Sequence, residues 1–279
     1  MNRAIEGVED TQKAKDAVAI VEVTELRKDY TSADKLVTAI TEREEFDGYI
    51  DGNFIAIKQG LINQLKIVLP KIETEEAKVA VTKVENSLTQ KDLDAAKEAV
   101  EKNGVKAFDE NQYNVLKEKL DVVEAVIFIT NEVADAERNS EEYVTEDVIK
   151  GITNIDNQIV GIVNGIKNSL VEEIEKIPNA TTAMVNRRSD LTNRLNTLDN
   201  VWEGIVAVRY AEYIYKEVGN SEPTLTNAIK FANTKIPDVG NSKVKQDLEK
   251  RIETIVNELA ANDSYEEANN KVTAIEGIL

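Results

Sequence analysis

The stretch DGYIDGNFIAIK, residues 47–58, comes nearest in this chain to an arrangement that holds an ion. An EF-hand calcium loop takes oxygen ligands at positions 1, 3, 5 and 12 around a glycine at position 6. Counted from Asp47, Asp51 falls at position 5, Gly52 at position 6 and Phe54 at the aliphatic position 8. Position 3 is Tyr49, however, and position 12, where a bidentate Glu belongs, is Lys58. A cation in place of the strongest ligand opposes a divalent ion, so the two Asp-Gly pairs are read as a turn between helices.

Four other groupings invite chemistry. Trp202, Tyr210, Tyr213 and Tyr215 are the main aromatic concentration. Aromatic faces stack on sugars, but the short steps between these rings suit packing inside a bundle. Arg187, Arg188 and Arg194 form an arginine cluster, read in so acidic a chain as a solvated or ion-paired face and not as an anion site. GIVNG, residues 161–165, has the small-xxx-small spacing of closely approaching helices. Among Asn, Asp and Lys it is expected to pack within a bundle. The adjacent carboxylates Glu44 and Glu45, and Glu172 and Glu173, diverge by about 100° on a helix and do not face one cleft.

Composition narrows the classes further. With no Cys and no His, thiol nucleophiles, imidazole bases, disulfides and His or Cys metal ligation are excluded. No phosphate-binding loop, nucleophile elbow or zinc-protease signature is present. No catalytic, cofactor-binding or metal-binding residue is therefore assigned, and no cofactor is expected. A net charge of −18 opposes nucleic acid and anionic polymers or lipids. The longest apolar runs are too short to span a bilayer, so no membrane insertion is expected. The opening MNRAIEGVED lacks the apolar region of a signal peptide. Together with the absence of Cys, this suggests the mature segment of an exported chain.

Helices must position all of these residues. The 279 residues are 42% hydrophobic but only 5% aromatic, with 4 Pro and 12 Gly, which suits helices with narrow aliphatic seams and not a turn-rich β fold. Three pieces recur. DLTNRLNTLDNV (from Asp190) and DLEKRIETIVNE (from Asp247) share Asp-Leu-x-x-Arg, with looser copies at VLKEKLDVVEAV (from Val115) and LINQLKIVLP (from Leu61). Thr31, Thr89, Thr145 and Thr224 open stretches that read as capped short helices, and SYEEANNKVTAI from Ser264 reads as a truncated fifth. Helices opening with Ala-Val precede these caps, at Ala17, Ala80, Ala125 and Ala207.

The order helix A, capped helix B, loop, helix C therefore recurs four times, with Leu65, Leu120, Leu195 and Leu248 as the helix-C landmarks. The pattern predicts an all-α chain of tandem three-helix, spectrin-like bundles sharing long junction helices in an elongated rod. Its units run over residues 8–70, 71–124, 125–200 and 201–262, and a truncated terminal helix over 263–279. The third unit carries a lengthened helix B through GIVNGIKNSLVEEIEKI. The uninterrupted seams at 113–137 and 183–218 are expected to be single shared helices of roughly 38–54 Å. Pro70 is expected to kink or break the first junction.

The pattern A-V-x-x-x-E-x-S-x-T-Q-x-D-L-D-x-A-x-x-x-V, seen in residues 80–100 and followed by LKEKLDVV, resembles helical repeats of Gram-positive S-layer and other cell-wall-associated surface proteins. The resemblance covers most of residues 14–260. It implies a non-enzymatic stalk, spacer, lattice or filament element at a cell surface, associating with itself or with another surface protein. The net charge departs from the polymer-binding members, so a glycan or wall polymer is a disfavoured partner. The rival expectation is an adhesin-like module recognising a protein or glycan through a bundle face or through Trp202, Tyr210, Tyr213 and Tyr215.

Overall fold

Aliphatic residues at three- and four-residue steps give each segment an apolar stripe that must be buried against another helix. A computed structural model describes residues 2–40, 53–218 and 224–276, and every regular element among them is helical. The all-α class expected from composition is therefore observed. In chain order the helices are α1 (Asn2–Thr24), α2 (Arg27–Ala39), α3 (Asn53–Ser87), α4 (Gln90–Val100), α5 (Asn103–Phe108) and α6 (Glu110–Arg138). They continue with α7 (Glu146–Lys150), α8 (Ile155–Glu175), α9 (Thr182–Thr197), α10 (Asp199–Tyr213), α11 (Thr224–Lys235) and α12 (Ser242–Glu276).

Two compact units result, one of residues Met1–Ile127 with Thr181–Met184, the other of Phe128–Ala180 with Val185–Leu279. In the first, α1, α2 and α3 pack on one another around Val18, Val21, Ala33, Val37, Leu61 and Leu65, while α4 and α5 pack on α3. In the second, α10 packs against α8, α11 and α12, and α11 meets α12.

Helix starts follow side-chain chemistry at some predicted caps and not at others. Thr89 accepts from the Asp92 N–H at 3.4 Å and starts α4, and Thr145 accepts from the Val148 N–H at 3.5 Å and starts α7. Thr31, by contrast, lies inside α2 and returns its hydroxyl to the Arg27 carbonyl at 2.9 Å. The turn into α2 comes earlier, at Glu25, whose φ of 49° is left-handed; Leu88 before α4 has the same φ. Neither is glycine, so each turn holds a conformation that costs about 1 kcal/mol or more. Bonds to the first-turn acid accompany both. Thr24 donates to Asp29 at 2.8 Å, and Thr89 donates to Asp92 at 3.2 Å.

Several expected boundaries are corrected. α3 runs on through Pro70, which it carries internally. KNGVKAF is not an irregular loop but contains α5. The lengthened helix B is two helices: α7 ends near Gly151, and α8 restarts under an Asn154 cap on the Asn157 N–H at 3.2 Å. The seam over 113–137 lies within α6, as expected. That over 183–218 is interrupted at Leu198, whose N–H bonds the Leu195 carbonyl, and it ends in a π-helical turn over Ile214–Val218. α12 continues past Ser264 with no new start.

GIVNG is also corrected. Gly161 and Gly165 are exposed, and a Cβ at either would meet nothing within 4 Å. Close approaches are made by other glycines, among them Gly204, where a Cβ would lie 2.6 Å from Val239 Cγ2 and 3.2 Å from Leu248 Cδ1. Gly161→Ala with Gly165→Ala should accordingly stabilise α8 by about 1 kcal/mol per site, through helix propensity alone. Chemical denaturation of the double variant checks this: a midpoint unchanged or lowered would mean that the glycine face is in contact after all.

Candidate functional site

The expected turn at residues 47–52 lies outside the described residues. The rest of that stretch, from Asn53, is the first turn and a half of α3, and Lys58 donates from Nζ to the Ile40 carbonyl at 2.9 Å. Lys58, in the place of the twelfth calcium ligand, therefore closes the end of α2. Among the described residues no three acidic side chains are grouped to hold a metal ion. No described helix is long and apolar enough to cross a membrane.

The aromatic concentration does not form one surface. Trp202 is 0% exposed and Tyr210 7%, whereas Tyr213 and Tyr215 are partly buried. The Trp202 ring packs at 6.1 Å and 41° against Tyr143, and its Nε1–H has no acceptor. With no exposed face, Trp202 cannot stack on a sugar. The arginines also separate. Arg187 donates to Thr130 Oγ1 at 3.1 Å, Arg188 to the Ile177 carbonyl at 3.4 Å, and Arg194 makes a bidentate pair with Glu137 at 2.8 and 2.6 Å.

The Arg194–Glu137 pair belongs to a recurring contact. On one helix stands Val-x-x-(Val or Ala)-Glu: Val18 to Glu22, Val81 to Glu85, Val133 to Glu137 and Val208 to Glu212. On another stands Leu-x-x-(Gln, Lys or Arg)-(Leu or Ile): Leu61 to Leu65, Leu116 to Leu120, Leu191 to Leu195 and Leu248 to Ile252. Every apolar residue so named is at most 6% exposed. The polar member then meets the Glu. Lys119 reaches Glu85 at 3.1 Å, Arg194 grips Glu137, and Arg251 grips Glu212 at 2.8 and 2.7 Å while also bonding Glu141. The Asp of Asp-Leu-x-x-Arg supports each arginine one turn away, Asp190 to Arg194 and Asp247 to Arg251, both at 3.5 Å.

This register moves two expected equivalences. The third Val motif starts at Val133, not at the Ala-Val of Ala125, and Ile252, not Leu248, corresponds to Leu195. Electrostatically, Arg194 holds the Glu137 carboxyl below its ordinary range, and Glu212 leads in raising the Arg251 guanidinium above its own. A forked guanidinium fixes orientation as well as distance, which a single charge does not.

A second ionic node surrounds Pro70. Arg27 grips Glu76 at 2.9 and 2.8 Å, Lys102 meets the same carboxylate at 3.1 Å, and Lys71 meets Glu25 at 3.3 Å. Gly104 brings the backbone of α5 so close that its N–H donates to Glu73 Oε2 at 3.0 Å. A Cβ there would lie 2.9 Å from Pro70 Cα. The Arg27 hydrogen bonds, aided by Lys102, lower the Glu76 carboxyl from 4.5 to about 2.

Because the folded value is the lower one, the contribution of Glu76 is present above pH 4.5 and is lost as pH falls toward about 2. The stability difference between the native chain and Glu76→Gln should shrink across that window. Urea midpoints measured at several pH values test it, and a constant difference would remove Glu76 from the acid response.

Nothing in these contacts aligns a nucleophile with a base. What they do is fix the register of one helix on another. No protein-family model matches the chain, and no curated protein or solved structure matches it significantly.

Proposed function

We propose that the chain is a non-enzymatic structural protein, an extracellular or cell-surface spacer, lattice or filament element built from repeated three-helix units. The carrying observation is the recurrence of one buried seam, Val-x-x-(Val or Ala)-Glu opposite Leu-x-x-(Gln, Lys or Arg)-(Leu or Ile), closed by ion pairs at Glu85, Glu137 and Glu212. Repetition of a packing contact supplies length and stiffness, because each unit leans mainly on its neighbours. The helices α3 and α6, of 35 and 29 residues, are long enough to serve two successive units. The resemblance of residues 80–100 to helical repeats of Gram-positive surface proteins supports the location and a partner that is another copy or another surface protein.

Small-angle X-ray scattering on the full chain tests the reading. A rod gives a radius of gyration well above the roughly 19 Å of a compact chain of this length, and a value near 19 Å overturns it. The rival reading, recognition of a ligand by the aromatic group, is weakened by the burial of Trp202 and Tyr210.

A further inference from the structure

The recurring contact is incomplete at its first occurrence. Where Glu85, Glu137 and Glu212 meet Lys119, Arg194 and Arg251, the corresponding residues are Glu22 on α1 and Gln64 on α3. A glutamine carries no charge to bring to the carboxylate. Among the described residues no hydrogen bond or ion pair joins Glu22 to Gln64, and both are exposed. They line an open groove of about 460 Å³ floored by Val18 and Leu61. Gly60 in its wall leaves space where other residues would place a side chain, a Cβ meeting nothing within 4 Å.

The backbone of α3 carries a second irregularity in this bundle. Pro70 removes one N–H from the backbone ladder of α3, so residues 53–69 are joined to those that follow by one backbone bond fewer than in an uninterrupted helix. The ionic node falls at that division: Lys71 to Glu25 and Arg27 to Glu76 fasten the α1–α2 turn to α3 beyond the proline. On the far side of the proline Glu85 is paired with Lys119, while Val18, Val21, Val37 and Leu65 before it are as fully buried as Leu93, Val100, Leu116 and Leu120 after it, so the two sides differ in their ties and not in their cores.

We infer that α1, α2 and α3 as far as Pro70 form a yielding segment, which opens cooperatively while α4, α5 and the remainder of α3 stay folded. The inference rests on the missing ion pair and the proline, independently of the role proposed above. Local opening of this kind is a property of the native state, set by buried contacts and ties within the segment.

Native-state hydrogen exchange on the full chain, with increasing denaturant, is the experiment. The amides of α1, α2 and residues 57–69 should share one opening, at least tenfold more frequent than that of residues 77–87 and 93–100. Gln64→Arg restores the cation opposite Glu22 and should slow exchange of the first set by about two- to fivefold. The second set should be unchanged. Gln64→Lys, which copies Lys119, guards against an arginine that fails to fit. A single common opening for both sets overturns the inference, as does a first set that neither variant slows.

Discussion

Trp202→Ala should lower the unfolding free energy by about 3–5 kcal/mol, among the largest losses available to a single side chain here. The ring is fully buried in α10, and its neighbour Gly204 lets Val239 and Leu248 close in at less than ordinary contact distance for any larger residue. Truncation leaves a cavity that a close-packed surround fills only in part. Trp202→Phe should lose distinctly less. The smaller ring keeps most of the apolar surface and removes an indole N–H that is buried without an acceptor, an arrangement that costs about 1–3 kcal/mol in the native state. Urea unfolding at a constant slope measures both. If Trp202→Ala loses under about 1 kcal/mol, the ring is no part of a packed core, and an aromatic recognition surface returns to consideration.

The second large effect lies in backbone alone. Ala125 is an exposed residue in the middle of α6. Ala125→Gly should cost about 1 kcal/mol through helix propensity, and Ala125→Pro 3 kcal/mol or more, because the ring deletes an internal N–H and crowds the preceding turn. Because Ala125 is exposed, the difference between the two variants reports chiefly on helix continuity. Equal losses for glycine and proline would show that α6 does not depend on an unbroken backbone at that point. Pro70 is the natural contrast. It sits inside α3, but where the α5 backbone approaches at Gly104 and where Glu73 and Glu76 gather the charges of Arg27 and Lys102.

The helical class was legible because it follows from composition and step size, which act locally. Thr89 and Thr145 were legible as caps for the same reason: a hydroxyl before a polar turn satisfies free N–H groups wherever it occurs. Thr31 misled because a β-hydroxyl inside a helix bonds its own preceding carbonyl equally well. The start of α2 was decided instead by a left-handed Glu25, a conformation that no residue type announced. The third helix-A motif was misplaced because the Ala-Val pair is a weak signature. The Glu that follows the second apolar residue is the discriminating position, and its meaning appears only when Arg194 or Lys119 is seen opposite it.

GIVNG and Gly204 make the same point for glycine. Spacing favoured the first, but how near another chain segment comes is a tertiary fact, and it selects the second. The aromatic group was weighed correctly as core at Trp202 and Tyr210, from spacing alone.

The left-handed residues Glu25 and Leu88 stand at corresponding places, and so do Val18 and Val81, Val21 and Val84, Ala33 and Ala96, and Val37 and Val100. Between the two stretches no residue is gained or lost, although most of their surface side chains differ. They are thus two castings of one frame, told apart inside by Leu88 and Leu93, which are buried where the first stretch carries Glu25 and Tyr30.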